Sequence, residues 1–365
     1  MEYTESDLVK IAKRENNTKR NYLVVDPLQG KHIPVQPSKA LTLFSSLADT
    51  FRKKYQDEKL LLVGFAETAT AIGAQAAITA GTKYIQTTRE VISDVEYLFF
   101  SEEHSHATEQ KLVKDDIDLI AGKVDRIVFI EDEVTTGNTI LNIINILDRE
   151  YDGKFRYAVA SILNGMDAEH MEIYKTRGID LHYLVKTDHR KYAKKADEYT
   201  GNGQYYDCID QSTDAYTTVN IPDKMDARRL VDAFSYEKAC EKFWNSLKKK
   251  TGHITGRKIL VIGTEEFMFP ALYVGRELEK EGNEVLCHST TRSPIAVDLK
   301  KEYPLHCRYE LKSLYDVHRK TFLYDIGEYD HVFVITDSPE IKESQNTLLN
   351  ALRIKNKHIT VVRWY

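Results

Sequence analysis

The sequence predicts an α/β protein: a parallel sheet with helices on both faces, followed by a second, divergent α/β domain of similar topology. Three observations lead there. Short apolar runs rich in branched residues alternate with helical patterns along most of the chain. A length of 365 residues divides more readily between two compact domains than it folds as one. Several short segments recur in the same order in the two halves, the mark of an internal repeat.

Taken in order, Lys59-Leu60-Leu61-Leu62-Val63-Gly64 reads as the first strand of the sheet, and the alanine-rich run Thr68 to Ala80 as the helix after it. A short strand is expected around Tyr84-Ile85-Gln86-Thr87, then a polar stretch from Ser101 to Gln110. Arg126 to Ile130 is the next strand, Ile140 to Arg149 a helix and Arg156 to Leu163 another strand. From Lys191 to Gln211 the pattern weakens among tyrosines, charges and two glycines, which predicts a surface excursion and a domain boundary near residue 215. The expected domains are thus 1–215 and 216–365. In the second, a helix over Ser235 to Lys249 precedes a strand at Lys258 to Gly263, and a strand at His358 to Arg363 closes the chain.

The repeat is read from three pairs. Leu62-Val63-Gly64-Phe65-Ala66-Glu67 matches Val261-Ile262-Gly263-Thr264-Glu265-Glu266; Thr87-Thr88-Arg89 returns as Thr290-Thr291-Arg292; Val128 to Asp132 resembles Val332 to Asp337.

Composition excludes several classes. With 42% hydrophobic and 29% charged residues, disorder does not dominate. A net charge of -5 gives no whole-chain attraction for nucleic acid or an anionic membrane, so any phosphate recognition must be local. The N-terminus shows no secretory leader and no run is apolar enough to span a bilayer, which predicts a cytoplasmic protein. Cys208, Cys240, Cys287 and Cys307 are widely spaced and form no Cys-x-x-Cys pair, so buried reduced thiols are expected.

The chemistry concentrates in Val128 to Thr139, where an apolar strand ends in carboxylates and runs through Thr-Thr-Gly-Asn-Thr into a helix. A helix start presents unbonded N–H groups and the positive dipole end, which suits a phosphate. Gly137 keeps that turn open, and Thr135, Thr136 and Thr139 add hydroxyl donors. Glu131 and Asp132 repel phosphate but suit ribose hydroxyls and a cationic transition state.

This segment resembles the loop by which type I phosphoribosyltransferases bind 5-phosphoribosyl-1-pyrophosphate (PRPP). The resemblance implies that Glu131 and Asp132 hold the ribose hydroxyls and Thr135 to Thr139 the 5-phosphate, with Glu133, Val134 and Asn138 inside the same loop. Glu133 stands where many members have an apolar residue. Gly64-Phe65-Ala66-Glu67-Thr68 resembles the family's pyrophosphate loop, and Arg89 falls where members often carry a basic contact to pyrophosphate. Glu102 to Thr108 lies where the family has a mobile closing loop. There His104 or His106 is a candidate for proton transfer, a polar loop being the bland reading; as metal ligands the two lack partners in the sequence.

Lys31-His32-Ile33-Pro34, Gly64 to Ala69, Glu103 to Ala107 and Thr290-Thr291-Arg292-Ser293-Pro294 extend the resemblance over nearly the whole chain. It is to a bacterial two-domain family in which an orotate-phosphoribosyltransferase-like domain precedes a domain named for its Thr-Arg-Ser-Pro motif, associated with tellurium-resistance gene clusters. Membership implies phosphoribosyl transfer from PRPP to a nitrogenous base in nucleotide or nucleoside-like metabolite synthesis. Mg2+ would arrive mainly with PRPP, near Glu131 and Asp132, and a homodimer is compatible. The alternatives are a regulatory PRPP-binding protein and a PRPP synthetase. Base specificity is expected in hood segments 20–40 and 185–215. In the second domain, Glu266, Thr291, Arg292, Ser293 and Asp337 would converge at the strand ends as a second polar site, or else Arg292 would simply pair with a carboxylate and tie loops together. Thr336-Asp337-Ser338-Pro339-Glu340 lacks the phosphate turn.

Overall fold

The computed structural model describes residues 2–15, 20–100, 110–208 and 216–365, and every count of strands, helices or thiols is of those residues. The chain begins with α1 (Glu5–Leu8), β1 (Lys10–Lys13), β2 (Tyr22–Val25) and α2 (Pro37–Asp49). Next come β3 (Leu60–Gly64), α3 (Thr70–Ala80), β4 (Lys83–Gln86), β5 (Tyr97–Phe100), β6 (Gln110–Val113), α4 (Lys114–Ile120) and β7 (Arg126–Val134). They are followed by α5 (Asn138–Glu150), β8 (Arg156–Asn164), α6 (Ala168–Thr176), β9 (Asp180–Lys186) and α7 (Tyr192–Asp197). Then follow β10 (Gln204–Asp207), β11 (Thr217–Ile221), β12 (Val231–Asp232), α8 (Ala233–Thr251), β13 (Lys258–Gly263) and α9 (Phe269–Lys280). The last elements are β14 (Glu284–Ser289), β15 (Cys307–Lys312), β16 (Lys320–Tyr324), β17 (His331–Thr336), α10 (Lys342–Arg353) and β18 (Ile359–Trp364).

Two compact units result. The first comprises Met1–Glu5, Leu41–Asp188 and Met225–Lys238. Its sheet has the order β12-β4-β3-β7-β8-β9, parallel except for the short β12 on one edge. Helices covering both faces require central strands that are apolar throughout, and Leu61, Leu62, Val63 and Ile127 to Ile130 are fully buried. The small residues of α3 let it lie close to β3: a Cβ on Gly73 would come 3.0 Å from the Gly64 Cα and 2.8 Å from the Tyr84 ring. One expectation changes. Strand β7 continues four residues beyond Ile130, because Glu131, Glu133 and Val134 stay in register with Ser161, Leu163 and Asn164 of β8.

The second unit comprises Ser6–Ala40, His189–Lys224 and Ala239–Tyr365. Its main sheet is parallel, in the order β11-β18-β17-β13-β14, and a smaller sheet runs β10-β15-β16. The order β14-β13-β17-β18 reproduces β4-β3-β7-β8 of the first unit, and both units insert an antiparallel hairpin after the outer strand, β5-β6 in one and β15-β16 in the other. The fifth strand differs: β9 follows β8 in the chain, whereas β11 precedes the whole repeat.

The single break expected near residue 215 is not the division the contacts make, since the chain passes between the units several times. The segments 20–40 and 185–215, expected as hoods of the first domain, group almost wholly with the second unit. Apolar burial is the reason. Ala12, Val25 and Tyr199 share a core with Ile295, Val297, Tyr303, Leu305, Phe322 and Tyr324. Val35 exchanges backbone hydrogen bonds with Cys287 at 2.9 and 2.7 Å. Nor are the described residues of the expected excursion 191–211, which end at 208, merely surface: Tyr192, Ala196, Tyr199 and Cys208 are buried. Gly203 lets the chain pass closely, because a Cβ there would lie 2.6 Å from the Val297 carbonyl carbon.

All four cysteines are free thiols, three buried and Cys307 half-buried. Among the described residues no helix is long and apolar enough to cross a membrane.

Candidate functional site

Three segments meet at the carboxyl edge of the first sheet because their strands are neighbours. Gly64 at the end of β3 is in register with Gln86 of β4 on one side and Ile130 of β7 on the other. Backbone bonds continue this past the strand ends, from Phe65 N to the Ile130 carbonyl at 3.1 Å and from Thr87 N to the Gly64 carbonyl at 2.9 Å. Gly64–Thr68, Thr87–Arg89 and Glu131–Thr139 therefore lie side by side. Open parallel sheets bind ligands along this edge.

A buried polar tie fixes the first of these loops. The Thr87 hydroxyl accepts from Ala66 N at 2.8 Å and donates to Gln110 Oε1 at 2.8 Å, while Gln110 Nε2 donates to the Ala66 carbonyl. Thr87 and Gln110 are essentially inaccessible, so each group finds its partner inside the protein. The Ala66–Glu67 peptide bond is cis. Thr88 exchanges backbone bonds with Lys111 at 2.8 and 3.0 Å, and Lys111 Nζ reaches the carbonyls of Arg89 and Glu90 at 3.4 and 3.3 Å. The hairpin strand β6 thus holds the backbone that presents Arg89.

The acidic segment is strand rather than loop. Neighbouring side chains on a strand alternate between faces, so Asp132 is opposed to Glu131 and Glu133. Burial raises the Asp132 carboxyl above its ordinary value, and the charge of Glu133 adds to this; a hydrogen bond from Thr68 and backbone N–H groups oppose it. That Thr68 contact joins the end of the first loop to the acidic strand. Beyond Thr136 the chain turns through Gly137, whose φ of +76° is the left-handed conformation glycine tolerates best. The absence of a side chain also answers a packing need: a Cβ would collide with the Tyr174 hydroxyl and come 2.6 Å from Met166 Cε. Tyr174, fully buried on α6, donates to the Gly137 carbonyl at 2.6 Å. Helix α5 then opens without an acidic residue in its first turn and without a side-chain cap from Gly137, so its positive dipole end keeps its attraction for an anion.

Several expectations are refined by this geometry. Phe65 and Val134 are core side chains, Phe65 packing edge-on against Phe100 at 5.7 Å between ring centroids, so only their backbone is placed for a ligand. Gly64 is required by Tyr84, whose hydroxyl would sit 2.5 Å from an added Cβ and which donates to the Thr70 carbonyl. Ala66, Glu67, Thr68, Arg89, Glu131, Asp132, Glu133, Thr135, Thr136, Asn138 and Thr139 all belong to the three converging segments. His104 and His106 lie outside the described residues, between the paired strands β5 and β6. Gln110 and Tyr174 had no sequence signal; Thr87 did, in its recurrence as Thr290.

Among the described residues no group of three or more His, Cys, Asp or Glu side chains is disposed to hold a metal ion. The carboxylates of Glu131 and Asp132 provide negative charge without a preformed cage. That donor set fits a hard cation arriving with a phosphorylated ligand's own oxygens.

The second unit repeats the frame with different chemistry. Thr290 N bonds to the Gly263 carbonyl at 3.1 Å, Glu265 N bonds to the Thr290 hydroxyl at 3.0 Å, and Thr291 exchanges backbone bonds with Phe322 at 2.9 and 2.7 Å. Arg292 meets Glu265 at 2.7 Å and Glu266 at 3.8 Å. Asp337 is bound by the Tyr315 hydroxyl at 2.7 Å and by Lys224 at 3.1 Å, and Ser293 N bonds to the Thr291 hydroxyl at 3.2 Å. At the helix start corresponding to α5, α10 carries Glu343 in its first turn after Pro339 and Glu340.

Residues 8–188 match a family described as phosphoribosyl transferase, and residues 230–352 one described as the TRSP domain C-terminal to it. Among solved structures, the chain is similar to adenine phosphoribosyltransferase from Rhodothermus marinus DSM 4252, at 14% identity over 50% of this chain and 96% of that one, with a TM-score of 0.38. It is also similar to the Trypanosoma brucei adenine enzyme in complex with AMP, pyrophosphate and ribose-5-phosphate, at 16% over 50% and 77%, TM-score 0.34. Orotate phosphoribosyltransferase from Aeropyrum pernix is similar at 16% over 45% and 78%, TM-score 0.27. No curated protein matches the chain in sequence.

Proposed function

Because the chain belongs to the family that joins a phosphoribosyl transferase domain to a C-terminal TRSP domain, we propose that its first unit transfers the phosphoribosyl group of PRPP to a nitrogenous base. The observation behind this reading is the adjacency of β4, β3 and β7, which sets a basic residue, a fixed turn and an acidic strand leading into a helix N-terminus along one edge. The basic residue and the turn complement pyrophosphate, the acidic strand the ribose, and the helix N-terminus the 5-phosphate.

In the reaction the bond from ribose C1 to the pyrophosphate oxygen breaks, and a bond from C1 to a base nitrogen forms. Pyrophosphate leaves with the bonding electron pair, and the base gives up its N–H proton. Positive charge grows on the sugar while negative charge grows on the leaving group. Glu131 and Asp132 accept from the ribose hydroxyls and favour the first; Arg89 and the Ala66–Thr68 backbone favour the second. The turn from Thr135 to Thr139 at the start of α5 holds the 5-phosphate. Mg2+ arriving with PRPP would lie near Glu131 and Asp132 and would supply charge neutralisation. His104 or His106 is the candidate for taking the proton from the base.

In the second unit, Glu266, Thr291, Arg292, Ser293 and Asp337 belong to the equivalent polar edge. The decisive experiment incubates the chain with PRPP, Mg2+ and each of a panel of purine, pyrimidine and nicotinic bases, and reads pyrophosphate release and nucleotide formation. PRPP binding without turnover on any base would favour a regulatory protein instead. Consumption of ATP with ribose-5-phosphate would favour a synthetase.

A further inference from the structure

We infer that the second unit retains an anion cradle of the pyrophosphate type and that the carboxylate of its own Glu265 occupies it. The local frames correspond bond for bond. Ala66 N to Thr87 Oγ1 is matched by Glu265 N to Thr290 Oγ1, at 2.8 and 3.0 Å. The Thr87 N to Gly64 O bond is matched by Thr290 N to Gly263 O. The bridge from Thr88 to Lys111 is matched by that from Thr291 to Phe322. By this correspondence Arg292 stands where Arg89 stands, and Glu265 stands where the first unit has Ala66, a methyl group that brings no charge.

What surrounds the Glu265 carboxylate is a set of donors suited to an oxyanion. Arg292 Nε approaches one oxygen at 2.7 Å and Arg319 reaches the same oxygen at 3.1 Å, while the Ser313 hydroxyl donates to the other. Lys31 stands over the same turn, with its Nζ on the carbonyls of Glu265 and Thr290 at 2.9 and 3.0 Å. Glu265 is 1% exposed, and a buried carboxylate persists as an ion only with such partners. Three cations from three separate stretches of chain converge here, and two of them end on one side chain.

The hairpin closes the arrangement. Ser313, Tyr315 and Arg319 all lie between β15 and β16. Ser313 and Arg319 hold Glu265, while Tyr315 binds Asp337, the counterpart of Asp132, and the Thr264 hydroxyl at 2.8 Å. Both the anion side and the acidic side of this edge are thus engaged by the protein itself. The unit is a permanently liganded copy, whose charge pattern is balanced internally and which gives the hairpin a fixed seat. Assigning the cradle to the pyrophosphate type rests on the reading of Arg89 given above.

The test removes the internal ligand and offers an external one. Glu265→Ala is made in an Arg89→Met background, so that a signal from the first unit does not enter, and inorganic pyrophosphate is titrated by calorimetry and by thermal unfolding. The expected result is saturable binding and a rise of a few degrees in Tm for the double variant, both absent in Arg89→Met alone. Adding Arg292→Met should abolish the gain. Glu265→Gln keeps size and hydrogen-bonding capacity and guards against a misfolded Ala variant; it should gain weaker binding. The inference is overturned if neither folded Glu265 variant binds pyrophosphate, or if Arg89→Met with Glu265 intact binds it at Arg292. Failure of the first unit's proposed activity would leave both readouts unchanged.

Discussion

Thr87 and Thr290 hold the same place in two copies of one hydrogen-bond pattern, each hydroxyl accepting from the backbone two residues past a strand-end glycine. Both are buried, so each leaves an N–H without a partner if its hydroxyl is removed. Thr87→Val and Thr290→Val should each cost about 1–3 kcal/mol of stability, the penalty for a buried unsatisfied donor. Only Thr87→Val should also raise KM for PRPP, because only its loop faces the proposed substrate. Denaturant midpoints together with steady-state kinetics on both variants check this; equal kinetic effects would contradict the division of labour between the units.

Asp132→Asn separates chemistry from folding. Its carboxyl is raised above the ordinary value of 3.8 by burial and by Glu133, so the ionised form is disfavoured in the native state. That penalty is fully present above the folded pKa and is relieved as pH falls toward the unfolded one. The amide variant should therefore be as stable as the native chain or more stable at neutral pH, with the difference shrinking in acid. Its turnover should fall at least about tenfold, each ~1.4 kcal/mol of lost transition-state stabilisation being one decade. Thermal unfolding at pH 7 and pH 4 beside a pyrophosphate-release assay reads both halves.

Gly137→Ala should act on stability and binding at once. The residue has φ of +76°, and an added Cβ would displace Tyr174 and with it the bond to the Gly137 carbonyl. A non-glycine residue in a strained backbone conformation costs on the order of 1–3 kcal/mol before any clash is counted. PRPP affinity should fall below detection by calorimetry under conditions where circular dichroism still reports a native fold. Wild-type affinity would contradict the assignment of this turn to the 5-phosphate.

His288 gives the second unit a pH dependence. Burial lowers its pKa from 6.5 to about 4, helped by the charge of Lys31 and opposed by the hydrogen bonds its ring donates to the backbone of Tyr324 and Gly30. The unfolded chain takes up the proton first, so the stability contributed by neutral His288 is present above pH 6.5 and is lost as pH falls toward 4. At about 1.4 kcal/mol for each pH unit, the full loss lies between about 3 and 4 kcal/mol. His288→Gln retains a donor for the Tyr324 carbonyl, which His288 Nε2 meets at 2.8 Å. Urea midpoints at pH 7.5 and pH 4.5 should show a smaller fall for the variant; a fall equal to that of the native chain would place the acid sensitivity elsewhere, His331 being the next candidate.

The sequence by itself determined the α/β class, the strand-acid-turn-helix segment from Val128 to Thr139 and the existence of the repeat. Each of these is written in local order, as apolar period, turn chemistry and short motifs that recur along the chain. Tertiary structure decided what no local pattern encodes. It alone paired β3 with both β4 and β7, and so set Arg89 and Asp132 on one edge. It carried Glu131 and Glu133 onward as strand, because β8 offered partners in register that propensity does not reveal. It assigned 6–40 and 189–224 to the second unit, since burial of Ala12, Val25 and Tyr199 depends on which apolar surface they meet rather than on their neighbours in sequence. It also brought Arg292, Arg319 and Ser313 onto Glu265, four residues dispersed over 265–319. Charge pairing of that kind is a property of distance, and distance between remote residues exists only once the chain has folded.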